Sequence, residues 1–354
     1  MKSIKDFDVK NRRVLVRCDF NVPLDDEGNI LNDFRIKESL PTIKYLSESG
    51  AKIILMSHLG DPDGKVTERY RLDGVHEKLI ILLNQNVGLG EKPVGVLKAD
   101  DCVGEEIKKL TENINPGEVL LLENLRFHKE DEENDEKFAK ELAQLGDIYI
   151  NDAFGVCHRK HASVSKITKF LPHGAGFLLE KEMSVLKEFL KHPQKPVISI
   201  IGGKKVETKA KLINKLSDIS DFVLLGGLIK GEIHNKNIKL KHTQKIVEAL
   251  EDPAEKDLFE DTIKLFEEKI QIAKTIFWNG PLGQTEDKNY QEGTKKIIQA
   301  IIKSGAFSIV GGGETVEFIQ ELGLGSKFNH LSTGGGAMLA FLSGEKLPGL
   351  EALR

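Results

Sequence analysis

The chain has 354 residues, 40% of them hydrophobic and 30% charged. That is too long for one small core and too apolar for extended disorder. The formal net charge is −4, so no bulk field draws nucleic acid or anionic lipid, and any cationic site must be local.

The first ten residues alternate charge and lack an apolar stretch, so no secretory signal is expected. No apolar run reaches the roughly eighteen residues of a membrane span, and a cytoplasmic protein with no membrane or nucleic-acid partner follows as the expectation. Cys18, Cys102 and Cys157 show no C-x-x-C spacing. Reduced cysteines are favoured over a disulfide or a metal site.

In the first half, β-like runs stop at polar and cationic groups. Residues 14–16 lead to Arg17, Asp19 and Asn21; residues 53–56 lead to Ser57 and His58. Residues 119–122 lead to Glu123, Asn124 and Arg126; residues 148–150 lead to Asn151, Asp152 and then His158, Arg159, Lys160 and His161. The acidic run 131–136 reads as a solvated loop opening a helix over 135–145. Pro172, Gly174 and Gly176 read as a loop. A helix from about Leu179, ended by Pro193 and Pro196, reads as a spacer between domains.

In the second half the runs stop at glycine. Residues 198–201 end in Gly202-Gly203, residues 223–225 in Gly226-Gly227, and residues 276–278 in Asn279-Gly280-Pro281. Residues 308–310 end in Gly311-Gly312-Gly313, and residues 330–333 in Gly334-Gly335-Gly336. Alternation of such runs with amphipathic stretches, among them 181–190 and 263–270, predicts parallel βαβ units with helices on both faces. Ligands then bind outside the carboxyl ends of the strands. One half offers fixed positive charge there and the other bare backbone N–H groups, and both suit phosphate.

The ordered series of these runs resembles the phosphoglycerate kinase family over almost the whole chain. The matching stretches are Arg17-Cys18-Asp19-Phe20-Asn21-Val22-Pro23, Ser57-His58-Leu59-Gly60, Leu121-Leu122-Glu123-Asn124-Leu125-Arg126-Phe127 and Asn151-Asp152-Ala153-Phe154-Gly155. They continue with His158-Arg159-Lys160-His161, Gly202-Gly203-Lys204-Lys205-Val206, Trp278-Asn279-Gly280-Pro281, Gly311-Gly312-Gly313 and Ser332-Thr333-Gly334-Gly335-Gly336-Ala337.

The resemblance implies an α/β fold of two doubly wound, parallel-sheet (Rossmann-like) domains joined by a helical hinge. Residues 1–172 would bind 3-phosphoglycerate, 173–196 would form the hinge loop and interdomain helix, and 197–340 would bind nucleotide. Residues 341–354 would pack back on the first domain. It implies reversible phosphoryl transfer from 1,3-bisphosphoglycerate to ADP, with Mg2+, by a monomer.

By resemblance the glycerate is held by Asp19, Phe20, Asn21, Arg35, His58, Leu59, Gly60, Asp61, Arg126 and Arg159. Arg35, Lys205, Lys209, Gly334 and Gly335 would serve the transferring phosphoryl group, and His161 is a candidate beside them. Gly203, Lys209, Gly226, Asn279, Pro281, Glu286, Gly312, Gly313, Glu314 and Thr315 would bind nucleotide, Glu286 at the ribose and Glu314 at the magnesium. Neither G-x-x-x-x-G-K-[ST] nor a clear dinucleotide fingerprint occurs, which disfavours a nicotinamide-dependent oxidoreductase.

Three departures from the family pattern stand out. Asp61 occupies a position where arginine is usual, and an acid beside a bound anion is expected to weaken glycerate affinity. Glu314 replaces an aspartate. Between Gly227 and Ile276 the chain is several dozen residues short; the remaining stretch, 230–274, reads as charged and mainly helical, with a sheet-edge strand lost and nucleotide selectivity relaxed. A non-catalytic relative that binds phosphorylated ligands is the competing reading.

Overall fold

The computed structural model describes residues 1–85, 92–204, 206–252 and 254–354. They divide into two compact units, Met1–Met183 with Lys346–Arg354, and Ser184–Glu345.

The first unit is built on β1 (Arg13–Arg17), α1 (Phe34–Glu48), β2 (Lys52–Met56), α2 (Asp73–Asn84), β3 (Val96–Lys98) and α3 (Glu105–Asn113). β4 (Val119–Leu121), α4 (Lys129–Glu132), α5 (Glu136–Ala143), β5 (Ile148–Asn151) and β6 (His173–Ala175) follow, and α6 (Phe177–Lys191) leaves the unit. All strands are parallel, in the order β3-β4-β2-β1-β5-β6. β1 is the pivot, with β2 on one side and β5 on the other. The loops after β1 and β5 therefore flank the switch point, the crevice where ligands enter open α/β sheets.

Local chemistry sets these elements. The four residues 14–17 of β1 are wholly buried, as a strand covered on both faces requires. α5 opens on Asp135, whose carboxylate accepts from Phe138 N at 2.9 Å. It buries Phe138, Ala139, Leu142 and Ala143 along one stripe. The buried carboxylate of Asp152 accepts from Leu178 N (2.9 Å) and Leu179 N (3.4 Å), so the loop after β5 starts α6. Burial pushes that carboxyl up to about 7, against the hydrogen bonds from Thr42 and the α6 amides. The last residues return to this unit, Gly349 N donating to Cys157 O at 2.9 Å.

Residues 173–175 correct the loop expected there. They pair with residues 149–151 as an edge strand. An edge strand needs only backbone groups, so the sequence His-Gly-Ala carried no alternating apolar signal.

The second unit holds β7 (Val197–Ile201), α7 (Val206–Ile219), β8 (Phe222–Leu225), α8 (Gly227–Asn235), β9 (Ile246–Glu248) and α9 (Glu260–Gln271). β10 (Thr275–Asn279), α10 (Glu292–Ser304), β11 (Phe307–Gly311), α11 (Gly313–Glu321), β12 (His330–Leu331) and α12 (Gly335–Leu342) complete it. α13 (Pro348–Glu351) belongs to the first unit. The second sheet is again six parallel strands, β12-β11-β10-β7-β8-β9, with β7 at the pivot.

The shortened stretch is not mainly helical. Between α8 and α9 it forms turns and β9, which pairs in parallel with residues 223–225. The edge position of the sheet is therefore filled. Beside it, Ile233, Asn237, Ile238, Leu240 and Ile246 line a cavity of about 600 Å3. His234 pairs with Glu248 at 3.0 Å on its wall.

Candidate active site

In the first unit the predicted residues converge on the ends of β1, β2, β4 and β5. Arg35, in the first turn of α1, donates to both oxygens of Asp19 (3.2 Å) and to Asn21 O (3.0 Å). Asn21 Oδ1 accepts from Gly60 N at 2.8 Å, and Arg126 donates to Gly60 O at 2.7 Å. Asn124 is the hub between the β2 and β4 loops. Its amide donates to Leu59 O (2.8 Å) and Tyr70 O (2.9 Å), and its carbonyl accepts from Leu59 N (3.2 Å) and Arg126 N (3.0 Å). Gly60 has φ +64°, and an added Cβ would fall within the Tyr70 ring, so only glycine fits.

Phe20 and Leu59 take part in holding these loops together. Both side chains are buried. Phe20 N donates to Ser57 Oγ at 2.8 Å, and Leu59 N to Asn124. With these amides and Gly60 N already engaged, the three residues shape the loops.

The sequence reading placed Arg17 at the end of β1 but gave it no site role. Its guanidinium is fully buried. Nε donates to Ser163 Oγ at 3.0 Å, one terminal nitrogen to Cys18 O, and the other faces His58 Nδ1 at 3.4 Å. Arginine has no acceptor, so His58 Nδ1 accepts and its proton lies on Nε2. Among the described residues, no ion pair neutralises Arg17, whereas Arg126 Nε is buried 3.3 Å from Glu132 Oε1. The buried, unneutralised Arg17 is stabilised by an arriving anion.

The imidazoles register the same charge. Burial holds the His58 pKa well below the usual histidine value, and Arg17, Arg126 and Arg35 lower it further. His161 is pushed down to about 4 by burial and by Arg17, Arg126 and Arg159, against the pull of Asp131. Arg159 is exposed and donates to His158 at 3.1 Å. Both imidazoles are thus neutral near pH 7, and the guanidinium groups carry the positive charge. Asp61 lies 3.8 Å from Arg126 but is 81% exposed, so water screens it.

In the second unit the glycine-ended strands meet at the pivot. Gly202 N donates to Asn279 O (3.0 Å) and Gly203 N to Pro281 O (2.8 Å). A Cβ on Gly202 would collide with the Pro281 and Gly280 backbone, which makes glycine obligatory. Lys209, on α7 and nearly buried, donates from Nζ to Gly202 O, and its ammonium lies against Gly203 and Gly280. Gly226 adjoins Gly202, while Gly312 and Gly313 adjoin Gly335.

Gly334 precedes α12, and Thr315 and Glu314 lie in the first turn of α11. Among the described residues, Asn279 Nδ2 and Thr315 Oγ1 have no hydrogen-bond partner and are buried. Glu286 is exposed on the loop after β10. Lys205 lies outside the described residues.

Two units, one with cationic groups and one with glycines clustered at its sheet pivot, match a known family. The family model described as "Phosphoglycerate kinase" matches residues 4–237 and 232–345. The chain belongs to the phosphoglycerate kinase family.

The phosphoglycerate kinase of Coprothermobacter proteolyticus is 41% identical over 398 aligned positions, covering 100% of this chain and 98% of that one. That of Dictyoglomus turgidum is 42% identical over 399, covering 99% and 98%. The phosphoglycerate kinase structure from Pyrococcus horikoshii OT3 superposes with TM-score 0.87 at 31% identity, covering 100% and 98%. That from Coxiella burnetii gives 0.79 at 30%, covering 99% and 98%. The alignments are longer than the chain, and the two family-model segments meet at residues 232–237. The shortening relative to other phosphoglycerate kinases therefore falls at the end of α8.

Proposed function

We propose that the two units divide the reaction of a phosphoglycerate kinase, the first holding glycerate and the second holding nucleotide. The chain is a phosphotransferase, and its reaction is reversible transfer of a phosphoryl group between 1,3-bisphosphoglycerate and ADP. Relatives of this name matching its full length carry that conclusion. A non-catalytic binding role is disfavoured, since the cationic cluster and the Lys209 cradle are both retained.

Transfer from an acyl phosphate needs no protein nucleophile. The protein aligns donor and acceptor oxygens, excludes water and offsets charge on the equatorial oxygens. Arg17, Arg35 and Arg126, with Arg159 at the rim, would bind the phosphate and carboxylate of glycerate. His58, protonated on Nε2, would donate to a ligand oxygen. Lys209, Gly203, Gly334 and Gly335 would meet the nucleotide phosphates, joined by Lys205. Gly226, Pro281, Glu286, Gly312, Gly313 and the orphaned Asn279 and Thr315 would complete the nucleotide site.

The exposed Glu314 carboxylate suits a magnesium ion that takes its other ligands from phosphate and water. Such an ion, when bound, supplies charge neutralisation on the nucleotide phosphates. We assign closure about residues 173–196 as the step that brings the ligands together, in a cytoplasmic enzyme. A coupled ATP-formation assay with 1,3-bisphosphoglycerate, varying ADP, GDP and magnesium separately, tests this. Turnover with ADP that requires magnesium is expected, with GDP also accepted. No turnover with either nucleotide overturns the reading.

A further inference from the structure

A second polar cluster lies at the β3 edge of the first sheet, apart from the arginine cluster. β3 and β4 run parallel, Val96 level with Val119 and Lys98 with Leu121, so their following loops leave side by side. Two backbone bonds hold those loops together, Ala99 N to Leu121 O (2.9 Å) and Glu123 N to Asp101 O (3.2 Å). The β3 loop presents Asp101 and Cys102. The β4 loop reaches His128 after the single turn Leu125–Phe127. His128 Nε2 lies 2.7 Å from Asp101 Oδ1, which also accepts from Cys102 N at 2.6 Å. The His128 ring rests on Phe138 of α5, centroids 5.3 Å apart, which fixes its orientation. One ligand atom from each of Asp101, Cys102 and His128 lies within 4.8 Å of the other two.

We propose that Asp101, Cys102 and His128 form a binding site for a divalent transition metal of the zinc class. A thiolate, an imidazole and a carboxylate are the three ligand types zinc takes, and a water completes the tetrahedron. Magnesium and calcium, which prefer oxygen, suit this set poorly. Tetrahedral coordination at zinc bond lengths separates ligand atoms by about 3.5 Å, so the carboxylate must move outward and the thiol inward by roughly an ångström. Asp101 can turn, being 51% exposed, while Cys102 forms a buried floor. The metal enters from the solvent side, past Asp101 and His128.

The surrounding charge favours a dication. Glu130 and Glu141 act on His128 beyond its bond to Asp101, and Asp131 adds to the field at Cys102. Burial, followed by Asp101 and Asp131, raises the Cys102 pKa, so the metal-free thiol is inert. Metal binding forms an S–M bond and releases the thiol proton to water, while His128 coordinates as the neutral base. No other reactant is consumed. Spacing alone could not reveal the site, because Cys102 and His128 are brought together by strand pairing.

Cobalt(II) titration of the reduced, chelator-treated protein tests the proposal. One equivalent should produce a thiolate-to-cobalt charge-transfer band in the near ultraviolet, which zinc then abolishes by displacement. Cys102→Ser should remove the band, and Cys157→Ser should retain it. His128→Gln, at a half-buried position, should weaken cobalt binding at least tenfold. It decides the matter if Cys102→Ser fails to fold. Zinc should raise the unfolding temperature of the wild-type chain but not of His128→Gln. No band at saturating cobalt, a band that survives Cys102→Ser, or unchanged affinity in His128→Gln overturns the assignment.

Discussion

His161 reports the charge of the arginine cluster proposed to hold glycerate, and its titration can be followed by imidazole NMR. Its pKa is pushed down to about 4, by burial first and by Arg17, Arg126 and Arg159. Relative to an ordinary histidine near 6.5, the unfolded chain binds a proton over the interval between these values while the folded chain does not. Stability is therefore complete above about 6.5 and falls as pH drops toward 4, by about 3 kcal/mol in all. Bound 3-phosphoglycerate brings a carboxylate and a phosphate. A negative charge placed about 7 Å from the imidazole, at an effective dielectric of about 20, would favour the imidazolium by about 2 kcal/mol.

Further desolvation by the ligand opposes that shift, but His161 is already only 5% exposed, so the Coulomb effect wins. The His161 pKa should rise by at least about one unit when glycerate binds. An apo value near 6.5, or no movement on saturation with glycerate, refutes this electrostatic reasoning.

Asn124→Ala strands two amides and two carbonyls in a buried place. It should cost roughly 3–5 kcal/mol in denaturant unfolding and raise the glycerate KM; an unchanged midpoint would contradict the hub. Asp61→Arg should change the glycerate KM by less than about fivefold, and chiefly at low salt, because Asp61 is 81% exposed. A tenfold improvement would mean that the acid is closer to the ligand than its exposure implies. Glu314→Asp should keep or raise turnover if this carboxylate meets magnesium. A large loss in steady-state assays would show a fitted role for the longer side chain.

The central strands were legible because a parallel strand buried on both faces must be a continuous apolar run, as in residues 14–16 and 198–201. The edge strands β3, β6 and β9 were not, since a three-residue pairing uses backbone groups that every residue carries. The same physics hid β9 inside a charged stretch. In the candidate site, Arg35, His58 and Arg126 were readable from the polar residues that close the apolar runs or begin the next helix.

Arg17 was harder to see, because it closes β1 and a strand residue gives no sign that its guanidinium turns into the protein. The structural work of Asn124 depends on Leu59, Tyr70 and Arg126, partners set by the fold. Asp61 shows the reverse case. The sequence gives its charge, but its exposure, which decides the strength of the effect, comes only from packing.

The most direct test is calorimetric titration of wild-type and Arg126→Met protein with 3-phosphoglycerate and, separately, with magnesium ADP. Loss of one charge-assisted contact should weaken glycerate binding roughly 10- to 100-fold and leave nucleotide binding within error of wild type. Equal weakening of both ligands, or unchanged glycerate affinity, would contradict the assignment of glycerate to the arginine cluster.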